Sequence, residues 1–169
     1  MATPLIVNVV ELLRRPGVVK DVSARIDTVD FEFNDARIVD VPVDISLHLE
    51  SLSNGIAVSG GARATWTGEC RRCLAPITES VDVPLDELYQ VTVEDPDAWP
   101  IESDQINLLP MVRENVLLSV PVGPLCRPDC PGFCPVCGAD LSETTCGCDT
   151  TPRDSRWAVL DVLKDSPDD

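Results

Sequence analysis

The sequence predicts an α+β fold: mainly antiparallel β-sheet, as an open or barrel-like core, with a few short helices and a C-terminal cysteine-rich module. Three observations predict it. Apolar and polar residues alternate strictly from residue 43 and again from residue 56, the helical stripes are few and short, and the eight cysteines fall into three tight clusters. With 169 residues and 44% hydrophobic content the chain can bury one core with a small appended module.

Taken in order, Asn8 can cap a short helix through Val9, Val10, Glu11, Leu12 and Leu13. Arg14-Arg15-Pro16-Gly17 then stops it with cationic and glycine signals. Val43, Ile45, Leu47 and Leu49 share one face of a strand, with Asp44, Ser46, His48 and Glu50 on the other. Ser53-Asn54-Gly55 reads as a tight hairpin turn in which Asn-Gly supplies a positive-φ pair. Alternation resumes at Ile56, Val58, Ala62, Ala64 and Trp66, so strands 43–52 and 56–68 are expected to pair antiparallel. Ile77, Val81 and Val83, then Leu85, Tyr89, Val91 and Val93, predict a third strand bent or interrupted at Pro84. This places Cys70-Arg71-Arg72-Cys73 at a hairpin tip.

Residues 94–104 form an acidic, proline-containing loop that reads as too polar to pack. Asn107 can cap a helix with Pro110 in its permitted first turn, and Leu108, Val112 and Val116 make its stripe, ending before Pro121. The expected organisation is thus a β-rich core over residues 1–121, with a helix near 108–119, and a cysteine-rich metal module over 122–150 packed on it. Residues 151–169 read as a C-terminal helix, with Trp157, Leu160 and Leu163 on one face, and a frayed tail.

The cysteine spacings are Cys70-x2-Cys73, Cys126-x3-Cys130-x3-Cys134-x2-Cys137 and Cys146-x-Cys148. Thiolates two or three residues apart converge on one tetrahedral ion, and eight make two complete shells, so two structural zinc ions are expected. The N-terminus has no basic segment ahead of an apolar one and does not read as a secretory signal. A cytoplasmic, reducing setting is therefore expected, where clustered cysteines are more often ligands than disulfides. The favoured division joins Cys134, Cys137, Cys146 and Cys148 in one knuckle and Cys70, Cys73, Cys126 and Cys130 in the other shell. Spacing leaves a second division open, with Cys126, Cys130, Cys134 and Cys137 on one ion. An iron–sulfur cluster is the rival cofactor, and a thiol–disulfide exchange pair at Cys70 and Cys73, beside two arginines, is the rival chemistry.

Shells filled by four cysteines leave no open metal position for water, and no phosphate loop, dinucleotide fingerprint or nucleophile elbow occurs in the chain. The single histidine, His48, reads as a surface residue, and no enzyme is expected. A formal net charge of −16 disfavours indiscriminate binding to phosphate backbones and anionic membranes, and favours a basic protein partner. A zinc-ribbon nucleic-acid module would want a basic face with interleaved aromatics, against 4% aromatic content here. Arg71 and Arg72 are the exception, a local basic contact at the hairpin tip.

In this order, Leu12-Leu13 with Pro16-Gly17, Gly68-Glu69-Cys70-Arg71-Arg72-Cys73-Leu74, residues 106–121, and Cys126-x3-Cys130-x-Gly132-x-Cys134-Pro135-x-Cys137-Gly138-x-x-Leu141 resemble the YceD family. The resemblance implies a cytoplasmic, non-enzymatic factor promoting accumulation of large-subunit (23S) ribosomal RNA and ribosome biogenesis. It implies a basic protein of the large ribosomal subunit or pre-rRNA as partner, with no membrane and no small-molecule substrate. It supplies no catalytic residue.

Overall fold

The computed structural model describes residues 5–149. The helix expected around Trp157, Leu160 and Leu163 and the tail at 166–169 lie outside the described residues. The elements in chain order are β1 (Ile6–Asn8), α1 (Val10–Arg14), β2 (Val19–Ile26), α2 (Thr28–Phe31), β3 (Val43–Ser51), β4 (Ile56–Glu69), β5 (Pro76–Gln90), β6 (Trp99–Pro100), β7 (Gln105–Asn107) and α3 (Leu109–Ser119). Five strands form one open sheet in the order β2-β3-β4-β5-β6, and β1 and β7 form a separate antiparallel pair. The sheet does not close into a barrel. No helix among the described residues is long and apolar enough to cross a membrane.

The predicted alternation sets which face is covered. Val43, Ile45, Leu47 and Leu49 of β3 are buried with Ile56, Val58, Ala62 and Ala64 of β4 and Val83, Leu85 and Tyr89 of β5. They pack in one cluster with Leu12 of α1, Phe31 of α2, and Met111, Val112 and Val116 of α3. Each Val, Leu, Ile, Phe or Met side chain among them contributes about 1.5–3 kcal/mol when fully withdrawn from water, so this face holds the fold together. The outer face stays polar: register aligns Arg25, Asp44, Arg63 and Asp82 across four strands, and Arg63 binds Asp82 at 2.6 Å. His48 lies on that face, its Nδ1 2.7 Å from Asp21 Oδ1.

Helices α1 and α3 start close to where the sequence places them, although their N-caps are Val9 and Leu108 and the expected caps Asn8 and Asn107 stand one residue earlier. Asn8 Oδ1 accepts from the Val10 amide at 3.2 Å, and Asn107 Oδ1 accepts from the Leu109 amide at 3.1 Å. Strands β3 and β4 pair antiparallel from Ser51↔Ile56 to Asp44↔Arg63.

Other expectations are corrected. Neither Asn54 nor Gly55 has positive φ. The loop is wider than a two-residue turn, closed by the Leu52 amide donating to Gly55 O at 2.8 Å. Gly55 is needed for proximity instead, since a Cβ there would stand 2.2 Å from Tyr89 O. The third strand is not interrupted at Pro84, which pairs in unbroken register with Gly61. Strand β6 joins β5 only at Tyr89 and Gln90, so the far edge of β5 is open at Pro84, where a proline is tolerated. The strand stops at Gln90, leaving Val91 and Val93 exposed. There the Gln90 side chain accepts from the Glu94 and Asp95 amides at 3.0 and 3.2 Å and turns the chain.

The acidic loop is not wholly unpacked either. Ile101 is buried, and Trp99 stacks on Tyr89 with ring centroids 6.3 Å apart. Glu87 accepts from Trp99 Nε1 at 3.2 Å and from Asn115 Nδ2 at 2.9 Å, tying β5, β6 and α3 together. Strand β2 and helix α2 were not anticipated. Val22, Ala24 and Ile26 alternate with Asp21, Ser23 and Arg25, a signal short enough to pass unread.

Candidate metal centre

Below the open end of the main core, Trp66, Cys70, Ile77, Val120 and Cys130 form a second buried cluster. It is built by the lower ends of β4 and β5 and the segment that follows α3. Cys70 and Cys73 stand in the turn between β4 and β5, the predicted hairpin tip. The Cys70 amide donates to Ala75 O at 2.8 Å and the Leu74 amide to Cys70 O at 2.9 Å, with Leu74 in the left-handed region at φ 59. The same turn recurs at Cys134-Pro135-Val136-Cys137. There the Cys134 amide donates to Ala139 O at 2.8 Å, the Gly138 amide to Cys134 O at 2.9 Å, and Gly138 has φ 72. A Cβ on Gly138 would meet nothing within 4 Å, so backbone dihedral and not space calls for glycine there. Leu74 takes the equivalent position without that freedom.

The eight sulfurs gather as Cys70, Cys73, Cys126 and Cys130, and as Cys134, Cys137, Cys146 and Cys148, each set with its ligand atoms within 4.8 Å of one another. Of the two divisions compatible with spacing, this is the favoured one. Sγ–Sγ distances are 3.8 Å for Cys70–Cys130 and 3.6 Å for Cys73–Cys126. A tetrahedron with zinc–sulfur bonds of about 2.3 Å has edges of about 3.8 Å, so the donor set and its spacing fit a four-thiolate ion. Cys70, Cys130 and Cys134 are buried, whereas Cys126 and Cys137 are exposed.

Crowding four thiols in one place splits their acidities. The backbone amide of Cys126, then that of Cys73, draws the Cys70 thiol down to about 6. The sulfur of Cys130, then that of Cys73, pushes Cys126 up to about 12. The second group repeats this, with Cys134 drawn down to about 6 by the Cys137 and Val136 amides, and Cys148 pushed up to about 12 chiefly by the sulfur of Cys137. Each group thus pairs one thiol drawn down with others pushed up, and a divalent ion binding there must displace the protons of the raised ones.

The two arginines at the tip take different places. Arg71 is exposed, its stem lying near Gly123 and its amide donating to Pro124 O at 2.9 Å. Arg72 is exposed as well, but its Nη1 reaches across to donate to Cys130 O at 2.7 Å. Sequence reasoning missed that anchor and the role of Gly132, at φ 70 against Arg72. The Pro131-Gly132 pair between two ligand cysteines is the signal that marks the bend.

An open α+β sheet with two four-thiol groups of metal-binding geometry at one end defines the class of protein. Residues 58–164 match the family described as Large ribosomal RNA subunit accumulation protein YceD, and the chain belongs to that family. It is 35% identical to the protein Rv2926c of Mycobacterium tuberculosis over 175 residues, covering 95% of this chain and 81% of the relative. It is 27% identical to ML1660 of Mycobacterium leprae, covering 83% of this chain and 69% of that one. The Large ribosomal RNA subunit accumulation protein YCED homolog 1, chloroplastic, of Arabidopsis thaliana is 23% identical, covering 73% of this chain and 49% of the plant protein. No solved structure matches the chain.

Proposed function

We propose that this protein is a cytoplasmic, non-enzymatic factor that promotes accumulation of large-subunit (23S) ribosomal RNA, and that two structural zinc ions hold its C-terminal part in a binding-competent shape. The family match over residues 58–164 carries the process, and membership in that family suggests a part in accumulation of large-subunit ribosomal RNA. The two closely gathered four-thiol groups support the metal. Cys70, Cys73, Cys126 and Cys130 would hold one ion, and Cys134, Cys137, Cys146 and Cys148 the other. With all four positions taken by sulfur, the zinc supplies structure and no site for an attacking water.

A basic protein of the large subunit is the favoured partner over pre-rRNA, because a body of net charge −16 attracts cations and repels phosphate at long range. Arg71, exposed at the tip, remains free to make a local contact. The thiol-exchange reading is disfavoured by burial: Cys70, the sulfur drawn down to about 6, is fully withdrawn from solvent. Depletion followed by profiling of ribosomal particles tests the proposal. Precursor large-subunit RNA is expected to rise and the mature form to fall, and an unchanged profile would refute it.

A further inference from the structure

We infer that Arg72 couples the two four-thiol groups, so that an ion in one raises the affinity of the other. The inference rests on the reading that both groups hold metal. The surroundings of Arg72 carry it. The Arg72 amide lies 3.5 Å from Cys70 Sγ, touching a sulfur of the first group. Its guanidinium donates to Cys130 O at 2.7 Å, clasping that group from the opposite strand of chain. Its carbonyl accepts from the Phe133 amide at 3.2 Å, immediately before Cys134 of the second group. Gly132 presses on the same residue so closely that a Cβ there would stand 2.7 Å from Arg72 O.

The far side of that bend belongs to the second group. Gly132 O accepts from the Leu141 amide at 2.9 Å, and Phe133 pairs with Asp140 across the knuckle. Residues 131–133 are therefore held between Arg72 and the loop that presents the second set of thiols. Drawing Cys70 and Cys130 onto one ion fixes Arg72, and fixing Arg72 sets the direction in which the chain enters Cys134. The ordering cost of the second shell is then partly met by the first, which is positive coupling, and by linkage it is reciprocal. An arginine that sequence alone offers as a partner contact is a positioning residue.

The test withdraws zinc stepwise from the loaded full-length protein with a chelator and counts bound ions by native mass spectrometry. Wild type is expected to pass from two zinc ions to none with little of the one-zinc form. Arg72→Ala is expected to accumulate that form, and Arg72→Lys, which keeps a donor for Cys130 O, to suppress it again. In parallel, Cys73→Ser disables the first group, and the second is expected to bind zinc about tenfold more weakly than in wild type, within the usual range of coupling. In an Arg72→Ala background the added effect of Cys73→Ser should fall below about threefold. A one-zinc form at its statistical abundance in wild type overturns the coupling while leaving two metal sites, and a wild-type-like profile in Arg72→Ala overturns the role given to the Arg72 guanidinium. A loaded protein with no zinc at all overturns the underlying reading as well.

Discussion

Cys70 Sγ and Cys130 Sγ lie 3.8 Å apart although sixty positions separate them in the chain. The pair joins the tip of the β4–β5 hairpin to the segment beyond α3, within a small buried cluster of five of the described residues, against which Ile38, Cys73, Val81 and Leu125 pack. Residues 122–149 contain no helix and no strand of the named sheets, so turn and bridge hydrogen bonds and the gathered sulfurs are what order them. Stripping metal with a chelator is expected to abolish hydrogen-exchange protection in residues 122–149 and in the 70–75 turn. Protection in β3 and in the inner part of β4 should persist, because those strands belong to the larger core. Uniform protection before and after stripping would contradict the metal clamp.

Gly55→Ala tests the close approach of the β3–β4 loop to the end of β5. The new methyl would stand 2.2 Å from Tyr89 O, a backbone atom that cannot step aside cheaply. Overpacking of this kind costs about 1–3 kcal/mol, and the melting temperature is expected to fall by about 3–10 °C. Ser53→Ala, two residues earlier on the exposed loop, should melt like wild type.

The two Cys-x2-Cys turns predict opposite effects for glycine. Leu74 is 60% exposed and sits at φ 59, so Leu74→Gly gives up little burial and relieves a left-handed backbone that costs about 1–2 kcal/mol for an L-residue. Allowing for the extra freedom of glycine in the unfolded chain, a net stabilisation of about 0.5 kcal/mol is expected. Gly138→Ala should lose about 1 kcal/mol at the matching position. Both are read by chemical denaturation of the zinc-loaded protein.

Tyr89 sets an alkaline limit. Its hydroxyl donates to Asn107 O at 3.1 Å, and burial, followed by the nearby Glu87 carboxylate, raises its pKa above the ordinary value. A folded pKa above the unfolded one means the contribution is fully present below about pH 10 and declines as pH rises toward the folded value. Wild-type stability should therefore fall more steeply above about pH 10 than that of Tyr89→Phe. At neutral pH the same variant should lose about 1 kcal/mol for the missing hydrogen bond. Parallel curves for the two proteins would show that Tyr89 ionises freely in the fold.

Much of the sheet was legible because alternation reports burial directly. Val43 to Leu49 and Ile56 to Trp66 face the core as their period requires, and Asn8 and Asn107 lie where their short polar side chains satisfy the first amides of α1 and α3. Strand β7 was not legible, since its three residues carry only Ile106 inward and its partner β1 lies about a hundred positions earlier. Val91 and Val93 misled for the converse reason: their alternation is real, but the Gln90 side chain captures the following amides and ends the strand.

Sequence alone determined that the chain carries two sets of four thiols, that its core is a sheet covered on one face, and that its surface is strongly acidic. Spacing, period and composition are local properties, and each was read without knowing where distant segments meet. Tertiary structure decided which thiols gather, that the sheet stays open, that Gly55 serves proximity, and that the Arg72 guanidinium ties to Cys130 O. Those outcomes depend on closing long loops against a common core, where burial and bonding must outweigh the chain entropy that closure removes. No window of neighbouring residues contains that balance.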